Sequence, residues 1–230
     1  MNRREQHRVE LGALAFERWP AYLCQNSGLP GPRANLELVQ AVAEEGDRKS
    51  FDNLIATDDE YLVLCGVVGL GRLIAEGADV QRELLGHAGD PRWRVREGVA
   101  MALQRLGDAD LPRLIALVEA WSVHENPLVQ RAAVAAICEP RLVKAPAGAQ
   151  CALTACAQAT ESLVARTDAD RREPAARTLR QALGYCWSVA VAAAPGTGLP
   201  MFRALAGSSD ADVSWIVREN SSKARLAKLL

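Results

Sequence analysis

Two stretches of the 230-residue chain repeat one another. DPRWRVREGVAMAL (90–103) and NPLVQRAAVAAI (126–137) superpose with Arg96 on Arg131 and Val99 on Val134, a shift of 35 residues. A third copy, TLRQALGYC (178–186), brings Arg180 to the same place, and a fourth, VSWIVRENSSKARL (213–226), brings Arg218, at further intervals of 49 and 38. A unit of this length holds one helix pair, and a single pair cannot bury its apolar face, so such units stack on one another. The longer interval implies an insertion in the third unit, placed in EPRLVKAPAGAQ (139–150). An earlier unit, DDEYLVLCGVVGLGRLI (58–74), has the helix pattern without an arginine at the matching position.

The apolar periodicity elsewhere agrees. It predicts helices over 3–18, 33–45, 49–57, 59–76, 79–88, 91–106, 109–121, 126–138, 149–166, 172–194, 199–207 and 211–229, with no alternating strand between them. Asp90-Pro91 and Asn126-Pro127 each put a capping side chain before a proline at the first helical position. Gly77, Gly89 and Gly107 follow helical runs where a left-handed C-terminal cap is wanted. The Pro-Gly-rich run Leu29-Pro30-Gly31-Pro32 reads as a structural chain stop before a helix, or as a rigid edge against a ligand. The fold expected is all-α: a right-handed α-solenoid forming a single domain over 1–230. Its capping helices occupy 1–57, and about five helix-pair units follow over 58–230. Helices 79–88, 109–121, 149–166 and 199–207 would form its outer layer, and 59–76, 91–106, 126–138, 172–194 and 211–229 the inner, concave one.

Composition supports this and closes off several functions. Hydrophobic residues make up 49% of the chain and charged ones 24%, the balance of a soluble globular protein. Aromatics reach only 5%, which favours helices over sheets. The charged start, MNRREQHRVE, precedes no apolar signal region, and no run is long enough to span a membrane, so a cytoplasmic location is expected. Six cysteines without a CxxC, and three histidines away from them, read as buried thiols and not as a metal site. No phosphate loop, nucleotide fingerprint or Ser-His-Asp arrangement is present. The net charge of −1 hides a gradient: residues 1–80 carry 8 basic and 13 acidic side chains, and residues 151–230 carry 10 and 7. Arg218, Lys223, Arg225 and Lys228 face only Glu219 in the C-terminal run, a pattern of a solvated helix face or of a surface that meets a polyanion.

The recurring helix pairs, begun by Asp/Asn-Pro and carrying an arginine about a turn in, resemble the HEAT and armadillo repeats. A narrower resemblance rests on three segments between about residues 79 and 190. These are Trp93 and Glu97 four apart on one helix face, LVQRAA (128–133) preceded by Trp121, and RQALGY (180–185). In that order they resemble the HEAT-like-repeat DNA alkylation-repair glycosylases. The resemblance implies a concave surface holding double-stranded DNA, with Glu97 as the catalytic carboxylate and Trp93 and Tyr185 as the aromatic contacts to a cationic alkylated base. It also implies that Arg131 meets a phosphate; if the arch holds nucleic acid, Arg131, Arg180, Arg218 and Lys223 are expected to face one surface. This chain has Glu97 where one branch of the family has Asp, and Tyr185 where it has Trp. The chemistry calls for no metal or organic cofactor: aromatic faces attract the cationic base, and a carboxylate stabilises the oxocarbenium-like sugar left behind.

A second reading stays open beside it, a non-catalytic repeat scaffold with a protein partner in its groove. Under it Trp93 packs between helices, Glu97 pairs with an arginine of a neighbouring repeat, and the recurring arginines form an Arg-to-Asp ladder between repeats. Trp121, Trp187 and Trp215 read as core.

Overall fold

The computed structural model describes residues 2–230 and is all-α, with no strand among the described residues. It divides into two compact units, one running to Leu106 and the other from Gly107 to Leu230, where the sequence reading treats 1–230 as one domain.

The first unit contains α1 (Arg3–Ala13), α2 (Trp19–Asn26), α3 (Leu36–Glu45), α4 (Arg48–Ile55), α5 (Glu60–Ala75), α6 (Gln81–Ala88) and most of α7 (Trp93–Ala109). Its centre is α5, whose run EYLVLCGVVGLGRLIA is apolar all round and correspondingly buried on nearly every side. α3, α4, α2 and α6 pack against it, and α1 packs on α3. Asp59 starts α5 by accepting from the Tyr61 and Leu62 amides. At the other end, Arg72 donates to the Glu44 and Gly46 carbonyls at 2.7 and 2.6 Å, satisfying acceptors that the end of α3 leaves open. Gly71 lets α7 approach: a Cβ there would lie 2.1 Å from the Ala102 carbonyl oxygen.

The second unit contains α8 (Leu111–Trp121), α9 (Pro127–Ile137), α10 (Pro146–Val164), α11 (Asp168–Arg172), α12 (Pro174–Ala193), α13 (Pro195–Ala206), α14 (Ala211–Ser221) and α15 (Ala224–Ala227). α9, α12 and α14 pack one on the next, and α8 packs on α10 behind them. α12 is the hub, touching α9, α10, α13, α14 and α15. Two polar contacts fix it. Asn220 is fully buried, accepts from the Ser188 amide at 2.7 Å, and donates to the Leu183 and Ile216 carbonyls. Trp187 donates to Thr160 of α10 at 3.0 Å.

The helix boundaries differ from expectation in several places. The expected helix 3–18 stops at Ala13, where Leu14 turns extended, and a 3-10 turn at Phe16–Arg18 leads into α2, which the sequence reading leaves unassigned. Pro20 falls in the first turn of α2, where proline is tolerated, and not in a helix interior. The short α11 is likewise unassigned by the periodicity. The expected helix 211–229 is cut at Ser222 and Lys223 into α14 and α15. Proline at the first position also moves the starts of α10 to Pro146 and α13 to Pro195, so the insertion shrinks to a loop and the 3-10 turn Leu142–Lys144. Of the three expected glycine caps, Gly77 alone has a left-handed backbone, at φ +97°; Gly89 does not, and Gly107 lies inside α7. Asn126 caps α9 as expected, accepting from the Leu128 amide at 2.9 Å.

Candidate functional site

In the first unit the interesting residues gather at the start of α7. Asp90 accepts from the Arg92 amide and from its guanidinium, and that hydrogen bond holds the carboxyl below its ordinary range. Trp93, the first residue of the helix, is 53% exposed. The Arg94 guanidinium lies 4.5 Å from its ring centroid and also pairs with Glu60 of α5 at 2.8 Å. The salt bridge therefore holds a cation over the exposed indole. Glu97, one turn on, is half-buried on the same helix. Arg96 donates to the Asp90 and Pro91 carbonyls at 2.6 and 2.9 Å, across the first turn of its own helix.

Beside this segment opens a cavity of about 450 Å³, lined by Cys24, Ser27, Pro30, Asp59, Glu60 and Arg94 among others. The Leu29–Pro32 loop forms part of its edge. That loop is pinched shut by the Asn35 amide donating to the Ser27 carbonyl at 2.7 Å, with Gly28 left-handed at φ +75°. The loop is tied down ahead of α3 and borders the cavity. Cys24 lies on this cavity and is exposed, against the expectation that the thiols are buried, because it falls in α2.

In the second unit Tyr185 projects from α12, 44% exposed. The Arg225 guanidinium donates to its hydroxyl at 2.8 Å and lies 4.8 Å from its ring centroid. Arg131 is half-buried on α9. Arg180 is committed elsewhere: it donates to Asp212 of α14 at 2.7 Å and stacks 4.7 Å from the Trp215 ring centroid. Trp215 is thus half-buried beneath an arginine and not in the core, whereas Trp121 and Trp187 are buried. Gly184 of RQALGY makes that stacking possible, since a Cβ there would lie 2.7 Å from the Trp215 ring. Arg218 is exposed and Lys223 half-exposed at the N-terminus of α15, and neither enters an ion pair among the described residues. The sequence reading did not single out Arg94 or Lys144. Their signal was available only as cations adjoining the motifs, at Trp93 and in the insertion.

The remaining thiols offer little chemistry. Cys138 and Cys156 lie 3.7 Å apart, sulfur to sulfur, both buried. Burial raises the Cys156 thiol above its ordinary range and pushes Cys151 up to about 12, so these groups stay protonated. No group of three or more His, Cys, Asp and Glu side chains able to hold a metal ion occurs among the described residues. No helix among them is long and apolar enough to cross a membrane.

No protein-family model matches the chain, and no curated protein does. Among solved structures, the crystal structure of an engineered protein aligns over 100% of this chain and 97% of that one, at 18% identity and a TM-score of 0.36.

Proposed function

We propose that the chain is a right-handed HEAT-like solenoid that binds duplex DNA and removes alkylated, positively charged bases, working in the cytoplasm. The observation that carries this reading is the exposure of its aromatic residues. Of all the Trp, Tyr and Phe side chains, Trp93 and Tyr185 are the two exposed ones, and they are the two to which the glycosylase resemblance gives contact with the base. A ring more than 40% exposed on a soluble protein leaves apolar surface in water that a ligand can cover. The packing of α9, α12 and α14 one on the next in the second unit supports the solenoid part of the proposal.

In this mechanism the cationic base is attracted to the aromatic faces. The bond from base to sugar breaks with its electron pair moving onto the base, which leaves neutral. Glu97 stabilises the oxocarbenium-like sugar and then takes a proton from the water that adds to it. Arg131, Arg218 and Lys223 meet phosphates, whereas Arg180 holds α12 to α14. A second reading, the repeat scaffold, draws on the arginine contacts Arg94 to Glu60, Arg141 to Asp108, Arg171 to Asp210 and Arg180 to Asp212, which join residues 32 to 39 apart in sequence and include one of the recurring arginines, Arg180.

The deciding measurement is release of methylated purines from alkylated duplex DNA. The purified protein should release them well above the spontaneous rate, and Glu97→Gln should remove that activity while still binding the DNA. No release, or equal release by the variant, favours the scaffold.

A further inference from the structure

Two features of the sequence stand apart from the recurring arginine position: the insertion after α9, and the basic run that closes the fourth repeat copy and continues to Lys228. In the second unit they meet on one groove of about 360 Å³. Its floor is a stripe of α12, Val189, Ala192 and Ala193, at helical spacing on one face. Pro140, Val143 and Lys144 of the insertion and Arg225 of α15 line the rest of it.

The charges around the groove are unbalanced. The acids of the insertion side are taken up by Arg141, which pairs with Asp108 at 2.7 Å and Glu139 at 3.0 Å. Lys144 is exposed and enters no ion pair among the described residues. Arg225 has the Tyr185 hydroxyl as its partner and no carboxylate. No acidic side chain lines the groove. Two unneutralised cations thus line a groove whose α12 stripe is apolar.

We propose that this groove docks an acidic peptide segment of a protein partner, with an apolar side chain on the floor and flanking carboxylates on Lys144 and Arg225. The shape favours a peptide over nucleic acid. The floor is aliphatic, whereas bases stack on aromatic faces. The apolar floor supplies the buried anchor that peptide recognition uses, and the paired cations supply steering and selectivity for acids. This docking does not depend on the DNA reading.

The test is fluorescence anisotropy of the full-length protein with a labelled Glu-Asp-Leu-Phe-Asp-Glu peptide, capped at both ends. Saturable binding is expected, weakened by about tenfold or more in Lys144→Glu, in Ala193→Trp, which fills the groove, and for a peptide whose acids are replaced by amides. Lys144→Glu alters an exposed side chain outside any ion pair, so its result stands even if Ala193→Trp fails to fold. Absence of saturable binding, equal binding of the amide peptide, or indifference to Lys144→Glu overturns the proposal. So does a short single-stranded oligonucleotide that binds more tightly than the peptide and loses its binding in Lys144→Glu, because the groove is then a nucleic-acid site.

Discussion

Trp93 and Trp187 put one residue type to opposite uses. Trp187 is 1% exposed, its indole N–H donates to the Thr160 hydroxyl, and that hydroxyl donates on to the Cys156 carbonyl at 2.7 Å. Phe202 of α13 packs 6.2 Å from it, centroid to centroid. Removing the ring leaves a cavity and unpaired polar groups, so Trp187→Ala should cost about 3–5 kcal/mol of unfolding free energy. Trp93→Ala removes mainly one cation–π contact from a surface position and should cost about 1 kcal/mol or less. Urea denaturation of both variants measures the difference, and equal losses would make Trp93 a packing residue and withdraw its contact with the base. Periodicity alone does not separate the two tryptophans, since it gives the face of a helix and not the depth of what covers that face. Trp187 is buried by α10 and α13, elements that its own heptad cannot reveal. Trp215 shows the same limit: its helix face was readable, but its arginine cover depends on Gly184 and Asp212, one on each of two helices.

At the scale of elements, the chain's punctuation was legible in part: Asn126 reads as a cap and is one, whereas the helix after Asp90-Pro91 begins only at Trp93. Asp47, Asp59, Asp110, Asn126 and Asp210 each cap the helix that follows, and the Pro-started helices begin close to their prolines. What the periodicity missed are joints made by tertiary contact. α2 exists because Trp19 and Leu23 find burial and the Trp19 indole finds the Leu11 carbonyl at 3.2 Å, a partner eight residues back that no local pattern announces. Asp210 joins both kinds of device. One oxygen caps α14 by accepting from the Asp212 and Val213 amides, and the other accepts from Arg171 at 2.6 Å. Burial pushes its carboxyl up, but the Arg171 hydrogen bond and the amides outweigh burial and hold it below the ordinary range. A carboxyl lowered in the folded state contributes stability above its unfolded pKa of about 3.9, and that contribution disappears as pH falls through the folded value. Asp210→Asn keeps a capable cap and loses the charge opposite Arg171. The variant should be less stable by about 1 kcal/mol at neutral pH, and the gap should close as the pH drops below about 4. Unfolding curves for both proteins at several pH values check this. A gap that persists in acid would mean that the neutral hydrogen bonds, and not the ion pair, carry the difference.

For the molecule as a whole, the net charge of −1 says little about a polyanion partner, because the two units differ in sign. The unit ending at Leu106 carries 13 basic and 16 acidic side chains, and the unit from Gly107 carries 14 and 12. Even within the second unit many cations are already spent: Arg141, Arg171 and Arg180 are held by carboxylates. The sequence made all four repeat-position arginines look alike, yet Arg180 is a tie between α12 and α14 while Arg218 points into solvent outside any ion pair. The phosphate contacts proposed for DNA are Arg131, Arg218 and Lys223, and each phosphate neutralised releases condensed counterions. Three contacts should give a plot of log affinity against log salt a slope of about −3, and the double reversal Arg218→Glu with Lys223→Glu should flatten it by about 2. Arg180→Gln should lower stability and leave the slope alone. Gel shifts with duplex DNA across a range of salt concentrations measure all three proteins. A slope near zero in the unaltered protein, or a slope that Arg180→Gln flattens as much as the double reversal does, removes duplex DNA as the partner and leaves the arginines their structural role alone.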